Sequence, residues 1–156
     1  MAAVLVVLGV VVGQTSLLDR MLIFFPEREL VGDPRALGME YENVFFEAAD
    51  GVRLHGWFVP GRSDNTLLWF HGNAGNIAHR LDNILVLHRR LGTGVFIFDY
   101  RGYGRSDGSP SEKGMYSDAE ASIEYLRSMP GFDSDTHLII FGRSLGCAVA
   151  VEMATR

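Results

Sequence analysis

The run Gly142-Arg143-Ser144-Leu145-Gly146 constrains the fold more tightly than any other part of the chain. Before it stands His137-Leu138-Ile139-Ile140-Phe141, a short apolar run suited to a strand buried on both faces. After it comes Cys147-Ala148-Val149-Ala150, the small-residue face of a helix. A strand must therefore become a helix within five residues. So tight a turn crowds the residues two before and two after its apex. Glycine at 142 and 146 removes the side chains that would clash, while Ser144 is held in a strained backbone with its hydroxyl exposed. Leu145 opens the helix, and its backbone N–H is a free donor at a helix amino end. A serine hydroxyl becomes a nucleophile only when it is exposed and a base takes its proton. Ser144 is the candidate nucleophile and the Leu145 N–H a candidate donor to developing negative charge.

The rest of the chain supplies a sheet for this turn to crown. Residues 43–47 and 52–59 are apolar-rich runs separated by Ala48-Ala49-Asp50-Gly51, and Asp-Gly between such runs signals a hairpin. Residues 66–70 and 94–98 read as strands buried on both faces. Between them Ile77, Leu81, Ile84, Leu85 and Leu91 recur at helical spacing, and Gly92 stops the helix. Met115, Ala119, Ile123 and Leu126 mark a second helix that ends at Met129-Pro130-Gly131, and residues 145–155 begin a third. Strand and helix alternate as in βαβ units. The expectation is an α/β fold: a mostly parallel, doubly wound sheet with helices on both faces and an antiparallel hairpin at one edge. Ligands bind such sheets at the carboxyl ends of the strands.

Two more segments fall at those ends. His71-Gly72-Asn73-Ala74-Gly75-Asn76 follows the strand ending at Phe70. Gly72 and Gly75 let the main chain turn sharply beside a substrate, and Asn73 is the expected second N–H donor, with Ala74 as the alternative. Asn76 is placed to cap the next helix. His71 is expected to hydrogen-bond neighbouring backbone and shape the loop rather than move protons. Asp99-Tyr100-Arg101-Gly102-Tyr103-Gly104-Arg105-Ser106 follows the next strand. Its glycine spacing misses the dinucleotide fingerprint by one residue and no helix opens at once, so it reads as a tight turn with Asp99 and Arg101 in structural hydrogen bonds. Arg143 is expected to be solvated or structural, and Cys147 to be a small buried hydrophobe.

Composition excludes several other functions. With 47% apolar residues the 156-residue chain is not a disordered tail. A formal net charge of −5 without a basic stripe argues against nucleic acid as a partner. The histidines lack ligand spacing, so neither a metal nor any other cofactor is expected. The single cysteine rules out an internal disulfide.

The amino terminus is apolar. Residues 1–18 contain no charged side chain and would span roughly 27 Å as a helix, close to a bilayer's hydrocarbon core. The leading expectation is a membrane anchor within an apolar segment 1–25, ahead of a folded part at 26–156. Gln14, Thr15 and Ser16, and the lack of Lys or Arg before the run, leave open an export signal, or a soluble protein that buries the segment.

The ordered set His-Gly-Asn-Ala-Gly-Asn, Asp-Tyr-Arg-Gly-Tyr-Gly-x-Ser and Gly-Arg-Ser-Leu-Gly resembles the α/β-hydrolase superfamily, with wording similar to its serine-aminopeptidase-like branch. The resemblance covers residues 24–156. It implies an α/β-hydrolase fold and a serine hydrolase acting on an ester, thioester or amide of a small-molecule or acyl substrate. Ser144 would be the nucleophile, and Leu145 and Asn73 the oxyanion-hole donors. His71, Gly72, Gly142 and Gly146 would shape the site. In that superfamily the chain order is serine, acid, histidine. All five histidines here precede Ser144, so the expectation is a truncated hydrolase, its triad acid and histidine lying beyond residue 156 and the chain inactive alone. The rival expectation is a non-catalytic, membrane-attached module of the same fold.

Overall fold

The computed structural model describes residues 22–156. Five strands form one sheet: β1 (Glu42–Glu47), β2 (Arg53–Val59), β3 (Thr66–Phe70), β4 (Gly94–Asp99) and β5 (Leu138–Gly142), in the spatial order β1-β2-β4-β3-β5. β1 and β2 form the expected hairpin, closed by Gly51 at φ 80°. β2 also runs antiparallel to β4, whereas β3 is parallel to both β4 and β5. The sheet is therefore mixed, with its parallel half at the chemistry-bearing motifs.

Three helices cover it: α1 (Leu81–Leu91), α2 (Glu112–Arg127) and α3 (Leu145–Ala154). From β3 the chain crosses through α1 to β4, then returns through α2 past β3 to β5. Right-handed crossovers taken in opposite directions put their helices on opposite faces, and the core divides accordingly. Leu68, Phe70, Phe96 and Phe98 pack in one cluster with Met115, Ala119 and Leu126 of α2 and Val149 and Met153 of α3. Leu67, Trp69, Val95 and Ile97 pack in the other with Ile77, Ala78 and Ile84. Residues 67–70 and 95–98 alternate between the two cores, as the two-residue strand period requires, and the polar residues of these strands, Thr66 and Asp99, stand at their ends.

The helix ends follow their sequence signals. Asn76 accepts from the Ala78 N–H (3.0 Å) while the Asn76 N–H reaches His79 Nδ1 (3.2 Å), a reciprocal cap. A 3₁₀ turn at Ile77–Arg80 then leads into α1, which stops at Gly92 in the left-handed region. Ser111 Oγ caps α2 through the Gly114 N–H (3.1 Å).

Three features differ from the sequence reading. β5 is half-buried rather than enclosed, because it stands at the sheet edge with one flank unpaired among the described residues. His137 closes a single helical turn, Ser134–His137, ahead of that strand. Cys147 is exposed, not buried. The inward stripe of α3 is Gly146, Val149 and Met153, and the step from 146 to 147 rotates a side chain about 100° off that stripe. The anchor expected within residues 1–18 lies outside the described residues. Among those described, no helix is long and apolar enough to cross a membrane.

Candidate active site

β3, β4 and β5 run parallel and end together, with Phe70 opposite Gly142 in the register. Three loops therefore meet at one edge of the sheet: the His71–Asn76 loop, the segment after Asp99, and the turn at Ser144. The parallel strands also bring the loop and the turn into contact. A Cβ on Gly72 would lie 3.5 Å from the Ser144 Cβ and 3.5 Å from the Arg143 carbonyl oxygen.

Ser144 adopts φ 54°, ψ −121°, the only positive φ of any non-glycine residue described. That ψ lies far from the left-handed helical well, in territory that side chains with a Cβ avoid. Packing on both sides imposes the conformation. A Cβ on Gly146 would stand 2.5 Å from the Phe70 carbonyl carbon and 2.7 Å from the His71 carbonyl oxygen. One on Gly142 would stand 2.7 Å from the Cys147 Cα. The two glycines thus let α3 begin directly against the end of β3. The Arg143 N–H donates to Phe70 O (3.1 Å), and the Gly146 N–H returns to Arg143 O (3.0 Å). Ser144 is left exposed at the apex with the amino end of α3 behind it. The Leu145 N–H, at the first helical position, has no partner within the helix.

Several carbonyls of the facing loop are held by donors around it. The Tyr100 hydroxyl donates to His71 O (3.3 Å), and His71 Nδ1 lies 2.7 Å from Gly72 O. A carbonyl only accepts, so Nδ1 carries the proton. Asn73 O accepts from the Tyr103 hydroxyl (2.7 Å) and from the Phe25 N–H (3.1 Å). In a trans peptide the C=O and N–H point in opposite directions. With the Gly72 carbonyl turned to the buried imidazole, the Asn73 N–H of the same peptide is turned away from it.

His71 is wholly enclosed, its ring packed 4.6 Å from that of Tyr100 and 5.5 Å from that of Tyr103. Burial lowers its pKa below the usual 6.5, outweighing the pull of Asp99, whose Oδ1 lies 3.8 Å from Nε2. His71 is thus a buried imidazole bonded to its own loop. Burial also pushes Tyr103 up to about 12, so it remains a neutral donor to Asn73. Asp99 Oδ1 accepts from the Ile77 N–H (2.9 Å), tying the end of β4 to the start of the 3₁₀ turn that precedes α1. Gly104 makes room for this carboxyl, since a Cβ there would lie 2.6 Å from Asp99 Cγ.

Arg101 is absorbed by structure. Its Nε and Nη2 bond Asp118 (2.9 and 2.8 Å), Nη1 bonds Asp50 (2.7 Å), and its N–H also donates to Asp118 (2.7 Å). Burial raises Asp118, and three donors from Arg101, two of them on its guanidinium, offset part of that rise. Among the described residues no group of three His, Cys, Asp or Glu side chains is arranged to hold a metal ion. A groove of ≈ 580 Å³ beside α2, lined in part by Glu47, Glu124, Arg127 and Arg156, includes none of the residues around Ser144.

Sequence reasoning placed Ser144, Leu145, Gly142, Gly146, His71, Gly72 and Asn73 at one edge of the sheet, and the fold brings their backbones together there. It missed the two tyrosine props. It also missed the segment before residue 30, where Phe25–Pro26 pairs in parallel with Ala74–Gly75. A phenylalanine pair followed by proline carries no strand signal, so nothing in the sequence could have announced that pairing.

No protein-family profile matches the chain. The α/β-hydrolase domain-containing protein WAV2 of Arabidopsis thaliana is 38% identical over 156 residues, 93% of this chain and 50% of that protein. An uncharacterised membrane protein of Saccharomyces cerevisiae is 40% identical over 130 residues, 83% of this chain and 45% of that protein. An esterase of Pyrococcus furiosus superposes with a TM-score of 0.71 at 26% identity, over 83% of this chain and 50% of the esterase. The chain spans about half the length of the curated relatives it matches. Its fold is that of the α/β hydrolases, and relatives and structural neighbours together support a place in that superfamily.

Proposed function

We propose that this chain carries the nucleophile and oxyanion hole of a serine hydrolase acting on an ester, thioester or amide. The backbone at Ser144 carries the reading: a non-glycine residue at φ 54°, ψ −121° is kept exposed where packing forbids any side chain on either flanking glycine. Strain of this kind persists only where the surroundings over-determine it, and it concentrates at working sites. Ser144 Oγ attacks the carbonyl carbon. The N–H groups of Leu145 and Asn73 receive the charge that develops on the carbonyl oxygen. The leaving group departs to give an acyl-enzyme, which water then cleaves. The wording of the three motifs supports the serine-aminopeptidase-like branch. The general base and its carboxylate partner lie outside residues 1–156, because none of the five histidines follows the serine and His71 is committed to its loop. The uncharged run at residues 1–18 attaches the protein to a membrane, a reading that the name of the yeast relative supports.

The test is hydrolysis of a p-nitrophenyl ester, with fluorophosphonate labelling, by the full-length polypeptide and by residues 1–156. Full-length protein should be active and labelled at Ser144, and Ser144→Ala should abolish both. Residues 1–156 alone should fall short by about 10⁴ to 10⁶ in rate, the usual cost of losing triad members. A full-length protein that neither turns over ester nor takes the label would make this a non-catalytic module of the fold.

A further inference from the structure

The segment leading into the domain is bonded directly to the proposed oxyanion loop. The Phe25 N–H donates to Asn73 O (3.1 Å), the Asn73 side-chain amide donates to Ile23 O (2.8 Å), and the Glu27 N–H donates to Gly75 O (3.2 Å). Asn76 Nδ2 reaches both Glu27 O (3.1 Å) and Glu29 O (2.6 Å), the Gly104 N–H reaches Glu27 O (2.9 Å), and Arg28 donates to the carbonyls of Ser106 and Gly108. Residues 23–29 therefore form a strap across two of the three site loops. Its side chains divide sharply. Phe24 is buried in the core cluster with Tyr103 and Val149. Leu22, Ile23 and Phe25 are 71%, 42% and 53% exposed. Three large apolar side chains lie open within four residues, and two of those residues, Ile23 and Phe25, are hydrogen-bonded to Asn73 itself. In the sequence they follow an uncharged run of eighteen residues, from which Asp19, Arg20 and Met21 separate them. A water-facing strap has no reason to show that surface, whereas the interface of a bilayer takes apolar side chains of this kind.

We infer that Leu22, Ile23 and Phe25 seat in a phospholipid bilayer, so that the strap sets the mouth of the Ser144 site at the membrane surface and the enzyme draws its esters from the bilayer. The occupant is lipid rather than a protein groove, because the apolar trio stands within seven residues of an uncharged run long enough to reach across a bilayer, with the charged pair Asp19-Arg20 between them where a headgroup layer would take it. The protein's net charge of −5 also leaves apolar insertion, not ionic attraction, as the force that holds it there. The choice of bilayer-borne esters as substrate rests on the serine-hydrolase reading. The seating of the strap does not.

The experiment uses full-length Phe25→Trp protein with phosphatidylcholine–phosphatidylglycerol vesicles, plain or brominated on the upper acyl chain. Trp57 and Trp69 are each 1% exposed, so wild-type protein gives the unresponsive baseline. Emission from the introduced indole should shift to the blue in plain vesicles and be quenched in brominated ones. Failure to bind vesicles, or bound protein quenched no more than wild type, overturns the inference. Phe25→Asp should lower hydrolysis of an ester carried in vesicles roughly tenfold relative to a soluble ester, the scale of one apolar side chain lost from an apolar environment. Equal losses on the two esters would overturn delivery from the bilayer. Ser144→Ala isolates the other reading: undiminished hydrolysis would sink the serine mechanism and leave the quenching result as it stands.

Discussion

Replacing Ser144 by glycine should stabilise the protein while destroying its proposed chemistry. At φ 54°, ψ −121° a residue with a Cβ carries strain of about 1–3 kcal/mol, because that ψ lies far from the left-handed well. Glycine removes the strain but gives the unfolded chain more freedom, which returns about 0.5–1 kcal/mol. The net gain is about 1 kcal/mol, a rise in Tm of roughly 2–4 °C for a chain of this size. Ser144→Ala is the matched control: it deletes the same hydroxyl, keeps the Cβ and keeps the strain. Both variants should be inactive, so comparing them removes every effect of the hydroxyl and leaves the backbone alone. Urea denaturation followed by tryptophan emission, at unchanged slope, gives the difference directly. If Ser144→Gly proves no more stable than Ser144→Ala, the strained-apex argument is wrong, and with it the physical basis for singling out this serine.

The same geometry makes two further predictions. Gly146→Ala places a methyl group 2.7 Å from the His71 carbonyl oxygen and closer still to that of Phe70. Neither belongs to a flexible side chain, so the start of α3 must move, at a cost of about 3 kcal/mol in urea denaturation, the upper end of the overpacking range; a loss below about 1 kcal/mol, the lower end of that range, would refute the close approach. The second concerns acid. Burial depresses His71 below 6.5, so between that value and the folded-state pKa the unfolded chain binds more protons than the folded one. Its contribution to stability is complete above pH 6.5 and declines as pH falls, by up to about 1.4 kcal/mol per pH unit. Denaturation midpoints between about pH 7 and pH 5, a range that brackets the ordinary histidine value, should fall more steeply for wild type than for His71→Gln, and superimposable profiles would refute the assignment.

How much of this was legible beforehand depends on the range of the interaction. The Ser144 turn could be read because five consecutive residues and the two runs around them carry its whole geometric requirement. The parallel strands could be read because burial on both faces leaves an unbroken apolar run, as at Leu67, Leu68, Trp69 and Phe70. β5 shows the limit. Its Leu-Ile-Ile-Phe run matches those of the central strands, yet it stands at the edge, and no local pattern says how many neighbours a strand will have. Cys147 was misplaced because small residues surround it in α3, which blurs the apolar stripe that would otherwise show which way the helix faces. The Phe25–Ala74 pairing joins segments nearly fifty residues apart through backbone groups and the amides of Asn73 and Asn76, and the backbone acceptors that those amides reach are common to every residue. The Arg101–Asp118 pair was half-visible: an arginine in a tight glycine turn needs an acceptor, but the helix that supplies it is chosen by the crossover.

Among the described residues the strained conformation of Ser144 is held by backbone packing alone, and that separates two things usually described together. Its conformation is set by the approach of α3 to the end of β3 and by the Arg143–Phe70 backbone bond, none of which involves a base. The opposite wall is likewise built from carbonyl acceptors, two tyrosine hydroxyls and a neutral imidazole. Presentation of the proposed nucleophile and of the proposed oxyanion donors is thus a property of the sheet edge and its first crossovers. In the proposed mechanism proton transfer is a separate function, one that a histidine within reach of Ser144 Oγ would supply. On this account, losing the base should lower the rate steeply and leave the φ 54° apex in place, whereas disturbing Gly142, Gly146 or the strap should damage a site that still has every catalytic side chain it needs.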